Sequence, residues 1–170
     1  MGKSWYWSVV LLAGTALAQH PQITFYNGGN PWTAAAPGAK NSPFLGAVFL
    51  HGKRLADFSI YRFLTLKMPA GEYDFSASTN FEKDDGKSSF KLTMADGQHY
   101  FIRLTERNAV ADIVSPVRFD TGQIELVSCT TAHQEIAERK LRMKPVEEKY
   151  LSDEALDWAV NGWTFPDCPK

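Results

Sequence analysis

Apolar and polar positions alternate most densely over residues 47–77, AVFLHGKRLADFSIYRFLTLKMPAGEYDFSA. The apolar run Ala47-Val48-Phe49-Leu50 gives way to His51-Gly52-Lys53-Arg54 and resumes at Leu55-Ala56-Asp57-Phe58. Gly52 can adopt the positive φ of a tight hairpin turn, so this segment predicts strand, turn, strand. In residues 61–68, YRFLTLKM, apolar side chains fall on both alternating sets, which predicts a strand buried over part of both faces. Pro69-Ala70-Gly71 stops that strand, because proline fixes φ and lacks an N–H donor. Tyr73, Phe75 and Ala77 then alternate strictly with Glu72, Asp74 and Ser76, the pattern of a half-buried strand.

The same reading extends to both sides. Residues 22–26, QITFY, form a candidate first strand, and 27–43, rich in Gly, Pro, Ala and Asn, a long loop. Residues 78–87 read as a polar connection turning at Asp84-Asp85-Gly86, followed by a strand at 90–94. Asp96-Gly97, set between alternating runs, predicts a hairpin into a strand at 99–104. Turns are expected at Glu106-Arg107-Asn108 and at Thr121-Gly122. Between them, 110–119 reads as an extended segment interrupted by Pro116, an edge or bulged strand, and 110–118, with Pro116 as its guard, is a candidate surface for strand addition by a partner. Residues 123–127 complete a set that predicts an all-β fold, an antiparallel β-sandwich of about seven or eight strands.

The period changes after residue 128. Thr131 and Gln134 are spaced as a capping box, and Ile136, Ala137, Lys140, Leu141 and Met143 continue a helical stripe ended by Pro145. Ser152-Asp153-Glu154 opens a second short helix, with Leu156, Ala159 and Val160 on one face, Trp158 off it and Asn161-Gly162 as its stop. Both helices are marginal alone and are expected to dock on the sandwich or fray.

The hairpin "V-F-L-x-G-K-R-L", the "P-A-G-E-Y" turn and the run "L-T-M-A-D-G-Q-H-Y-F-I-R-L" together resemble a bacterial family of exported β-sandwich domains of unknown function, similar in pattern to PEGA domains. The likeness runs roughly from Ile23 to Leu141, with Pro69-Ala70-Gly71-Glu72 standing where the PEGA signature reads Pro-Glu-Gly-Ala. It implies a sandwich fold and an envelope setting, and it transfers no catalytic residue.

Residues 1–18 read as a secretory signal peptide: Lys3, an apolar core at 9–17, and Ala16-Leu17-Ala18 before Gln19. That core is shorter than the about 20 residues needed to span a bilayer, and no cysteine follows for lipid attachment. The expected organisation is therefore a leader at 1–18, a β-sandwich at 19–128 and a helical segment docked on it at 129–170. The exported chain is expected in the periplasm or outside the cell, without an integral membrane segment. Net charge is −1, and about −2 without Lys3, so no basic footprint points to nucleic acid or to an anionic membrane.

Two cysteines in an exported chain predict one disulfide, Cys129–Cys168. His20, His51, His99 and His133 show no metal-ligand spacing, and Asp84-Asp85-Gly86 lacks the EF-hand pattern, so neither a metal nor another cofactor is expected. Ser88-Ser89-Phe90-Lys91 matches S-x-x-K, but it opens a strand and lacks the companion motifs. Glu147-Glu148 and Asp153-Glu154 read as solvated helix ends. Trp32, Trp158 and Trp163 lie outside the strands. They can form a stacking platform for sugar, or Trp158 and Trp163 can pack the C-terminal segment onto the sandwich. No catalytic set emerges. The expectation is a non-catalytic exported module for protein–protein interaction or envelope structure, with carbohydrate binding as the alternative, and its partner an envelope protein or a polysaccharide.

Overall fold

The computed structural model describes residues 19–28, 44–85, 88–111, 117–138, 142–162 and 164–168, with the backbone alone for 107–111 and 117–121. The expected leader, the loop from residue 29 to 43 with Trp32, and Trp163 lie outside the described residues.

Nine strands form two sheets among those residues. They are β1 Gln22–Asn27, β2 Gly46–Leu50, β3 Lys53–Phe58, β4 Arg62–Lys67, β5 Gly71–Ser78, β6 Ser89–Met94, β7 His99–Ala111, β8 Val117–Val127 and β9 Lys144–Pro145. The order is β8-β7-β1-β4-β9 in the larger sheet and β3-β2-β5-β6 in the smaller. The hairpin at 46–58 forms as the pattern predicts, with His51 (φ 49°) and Gly52 (φ 75°) both left-handed in its two-residue turn. In β4, Phe63, Leu64, Thr65 and Leu66 are all buried, so this strand is covered on both faces. Phe75 and Ala77 of β5 are fully buried, and β5 pairs antiparallel with β6.

Several connections depart from the expectation. Asp96-Gly97 reverses the chain without making a hairpin: β6 belongs to the smaller sheet, and β7 pairs parallel with β1 from Gln22↔His99 to Asn27↔Leu104. The apolar faces of β6 and β7 oppose each other across the core instead of lying side by side, and the Gly97 N–H anchors the turn on Gln19 O at 2.6 Å. With β4–β9 also parallel, the larger sheet is mixed, not purely antiparallel. The expected turns at 106–108 and 121–122 are strand instead, inside a long β7–β8 hairpin. Gly122 is there for close approach: a Cβ at this position would lie 2.8 Å from a Phe44 ring carbon and 3.0 Å from Ala77 O. The extended segment expected at 110–119 is therefore divided, Val110 and Ala111 belonging to β7 and 117–119 to β8, the edge strand; its interior, 112–116, lies outside the described residues.

The sheets face each other over a core containing Ile23, Phe25, Leu66, Phe75, Ile102 and Met94, a sandwich-like all-β arrangement. A second cluster lies on the opposite face of the larger sheet, where Tyr26, Phe63 and Phe101 meet Ala132. Ala132 comes from helix α1 (Cys129–Glu138), whose start is capped by Ser128: its Oγ accepts the Thr131 N–H at 3.0 Å. The helix thus begins before the expected Thr131 cap, and Met143 packs on this cluster from outside the helix. Phe165 seats edge-on against Tyr26 and Phe63, both at 5.6 Å between ring centres, and its own end of the chain is tied to α1 by the disulfide Cys129–Cys168.

Helix α2 (Asp153–Trp158) is capped by Ser152, whose Oγ accepts the Ala155 N–H at 3.2 Å. The expected buried face is corrected in part. Ala155, Trp158 and Ala159 pack on the core, whereas Leu156 and Val160 are 41% and 40% exposed. Within the helix the core-facing pair is Ala155 and Trp158, which leaves Leu156 outside. Helical geometry ends at Trp158, and Ala159 reaches the core as extended chain bridging Leu66, with Val160 turned away from it.

Two stability measurements follow. Cys129→Ser should destabilise the chain by about 3–4 kcal/mol in urea unfolding, the chain-entropy cost of releasing a closed loop of 39 residues; a loss below about 1 kcal/mol would contradict it. Gly122→Ala should cost about 1–3 kcal/mol through overpacking against Phe44 and the β5 backbone, and unchanged stability would show that this approach is not close.

Candidate functional site

The C-terminal arm, residues 142–162, covers one edge of each sheet, along β4 in the larger and β3 in the smaller. Its first part lies along β4: the Lys144 N–H donates to Tyr61 O and the Val146 N–H to Phe63 O, each at 2.8 Å. The chain then crosses to the smaller sheet through a 3-10 turn, Glu148–Tyr150. There Leu151 bridges Ala56, and the Ser152 N–H donates to Leu55 O at 2.9 Å. Helix α2 brings it back, and the Val160 N–H donates to Thr65 O at 2.9 Å. Unpaired strand edges are thereby capped by backbone partners.

Between the outgoing and returning passes lies a groove of about 920 Å³. The β4 edge forms its base, and Leu151, Leu156, Val146 and Val160 supply apolar surface. Charges stand on one rim. Arg62 donates through Nη1 to Pro145 O at 2.9 Å and through Nη2 to Glu147 Oε1 at 2.7 Å, and Lys149 Nζ lies 3.0 Å from Glu147 Oε2. The hydrogen bond from Lys149, with the charges of Lys149 and Arg62, holds the Glu147 carboxyl below its usual range. The same bond pushes the Lys149 ammonium up. These groups are solvent-exposed, so they orient one another while adding little stability. Arg62 links the rim to the sheet because its guanidinium holds the Pro145 carbonyl and the Glu147 carboxylate together. The groove therefore offers apolar contact, the Asn161 amide and charges of both signs.

The cysteines, histidines and Trp158 singled out in the sequence lie away from this groove, whereas Glu147 and Glu148 line it. Trp158 packs half-buried against the main core on the inner side of α2. Trp32 and Trp163 lie outside the described residues. Cys129 and Cys168 are bonded on the far face of the larger sheet. His51 occupies the β2–β3 turn beside Tyr73, His20 is exposed, and His133 donates from Nε2 to Pro166 O at 2.9 Å. Ser88 accepts the Ile124 N–H at 3.2 Å, a structural contact between β8 and the smaller sheet. Asp84 accepts from Ser76 Oγ at 2.6 Å. Glu147 and Glu148 are the solvated end expected, at the start of the 3-10 turn, and Glu147 is in addition the hub of the groove rim; nothing in the sequence pattern marks Arg62, Lys149, Leu156 and Val160 as groove residues. Pro145 was read only as a helix stop; proline's confinement to edge strands was the available signal that it lies on a sheet margin.

Comparisons of the chain with family models, curated proteins and solved structures return no match. Fold and site together define the class: a two-sheet, mostly β protein whose C-terminal arm covers the β4 and β3 margins and leaves a mixed apolar and charged groove.

A polar row runs under the outer face of the larger sheet. His99 Nε2 lies 2.8 Å from Thr24 Oγ1, which lies 2.8 Å from Thr65 Oγ1, and the imidazole stacks on Phe101. Burial lowers the His99 pKa. Both folded and unfolded chains are neutral here above the unfolded value of about 6.5, where the full contribution to stability is present. As pH falls below that value the unfolded chain takes up the proton first, and stability declines until the folded pKa is passed. Urea unfolding should therefore show lower stability at about pH 5 than at about pH 7, with a smaller difference in His99→Gln; identical pH dependence in the two proteins would contradict this.

Proposed function

We propose that the protein is a non-catalytic, exported interaction module that binds a short amphipathic segment of an envelope protein in the groove between β4 and the C-terminal arm. The observation that carries this reading is the exposure of Leu156 and Val160 beside a fixed rim of Arg62, Glu147 and Lys149. Apolar side chains left open inside a concave surface gain free energy when a partner covers them, and flanking charges of both signs set its orientation. Support for export comes from the leader-like residues 1–18 and from a cysteine pair suited to an oxidising compartment. The PEGA-like hairpin and turn fit the same reading, and so does a two-sheet, sandwich-like fold carrying two parallel strand pairs and a helical extension.

Carbohydrate binding through Trp32, Trp158 and Trp163 remains the alternative and rests on the sequence alone. Trp158 is engaged in packing α2 on the core.

The test is recovery of partners from envelope extract by the chain from residue 19 to 170, compared with a Leu156→Glu/Val160→Glu variant. Both sites are surface positions, so the variant's stability should stay within about 0.5 kcal/mol of the parent per site. The expected result is one stoichiometric protein partner held by the parent and lost by the variant. Equal recovery by both proteins would remove the groove from the proposal, and recovery of polysaccharide alone would transfer the weight to the tryptophans.

A further inference from the structure

The junction of α1 and the tail holds a second constellation, remote from the groove. Cys129 and His133 are four residues apart on α1, so they share one helix face. The tail returns Cys168 to that face. One ring nitrogen of His133 and both sulfur atoms lie within 4.8 Å of one another, and among the described residues no other group of three metal-capable side chains is so placed. We propose that reduction of the Cys129–Cys168 disulfide opens a three-ligand site for a thiolate-binding divalent cation of the Zn2+ class, held by Cys129, Cys168 and His133.

The surroundings suit this chemistry. Pro166 O can only accept a hydrogen bond, so His133 Nε2 carries the proton and the lone pair of neutral imidazole is on Nδ1. A histidine whose other nitrogen donates to a backbone carbonyl is the usual arrangement behind a metal, because that contact fixes ring and tautomer. Phe165 packs edge-on to the imidazole at 5.3 Å and limits its rotation. Cys129 is half-buried and Cys168 exposed, which leaves a route for the ion. A tetrahedral zinc with sulfur at about 2.3 Å requires sulfurs about 3.8 Å apart. Side-chain rotation reaches that from Cα atoms 5.5 Å apart. Two thiolates and one imidazole leave the fourth position to water or another ligand, as in open zinc sites.

The two states exclude each other. A dithiol reductant supplies two electrons and two protons; the S–S bond breaks, two thiols form and the reductant is oxidised to its disulfide. Metal binding then displaces both thiol protons and forms two metal–sulfur bonds. The oxidised pair supplies no thiolate, so the disulfide acts as the closed form of the site.

The experiment titrates Co2+ into the full chain from residue 19 to 170, oxidised or reduced by a phosphine, while circular dichroism follows the fold. One equivalent should bind to the reduced chain with a thiolate charge-transfer band, none to the oxidised chain, and Zn2+ should displace it. His133→Ala should weaken binding more than about 100-fold, beyond the loss typical of an outer-shell partner. No charge-transfer band in the reduced chain, or equal affinity in the His133→Ala variant, would overturn the proposal. If the reduced chain unfolds, Zn2+ should restore the fold in the parent and not in the variant; failure to restore it in the parent would overturn the proposal equally.

Discussion

The five-stranded sheet carries bulky apolar side chains on both faces, and most of the remaining structure is what it takes to cover them. Phe25, Leu66 and Ile102 point toward the smaller sheet, while Tyr26, Phe63 and Phe101 point the other way. A sheet of this kind needs two covering layers. The smaller sheet supplies one. The other is built from α1 and the tail, with Phe165 seated over three neighbouring strands, β1, β4 and β7. Phe165 is partly buried, so its packing contributes less than the about 1.5–3 kcal/mol of a fully buried ring, and the Cys129–Cys168 bond shares in holding a tail that has little regular structure of its own. Beside it, Tyr26 donates to Glu135 Oε2 at 2.7 Å, and Arg103 pairs through its two terminal nitrogens with Glu135 and Glu125, while its buried Nε has no hydrogen-bond partner among the described residues.

This demand also explains the groove. The chain leaves the outer face after α1 and must return to place Phe165. On the way it runs along the β4 edge, crosses to β3 and comes back to β4. Two passes along one edge, separated by the excursion through α2, leave a concave strip between them. Its walls are fixed by backbone hydrogen bonds and by Arg62, whose guanidinium joins the outgoing pass to the sheet. A preformed surface of this kind lowers the ordering cost of binding, which is the physical basis of the interaction reading.

Strands with a single dominant pattern were legible in the sequence. The turn at Gly52, the alternation of Tyr73, Phe75 and Ala77, and the two-sided burial of β4 all follow from residue type and period. So does the cysteine pairing. Partnership was not legible. Asp96-Gly97 specifies a reversal, but nothing local specifies that β7 will join β1 in parallel across the core. Gly122 looks like a turn because its close approach to Phe44 is a tertiary fact. The groove was hidden for the same reason: Pro145 acts as a strand residue only because β4 is beside it, and a helical period carried past Trp158 misplaces Val160, since Ala159 is already extended. Trp158 was readable as packing, since it faces the core.

The most direct test is site-resolved amide hydrogen exchange on the oxidised chain, read at Val146, Ser152 and Val160. If the arm is integral to the sheets, these three amides donate to Phe63, Leu55 and Thr65 and should exchange as slowly as neighbouring strand amides such as Leu64. Exchange at the rate of an open loop, with β4 itself still protected, would mean that the arm does not cover the sheet margins and that the groove is not a fixed feature of the protein.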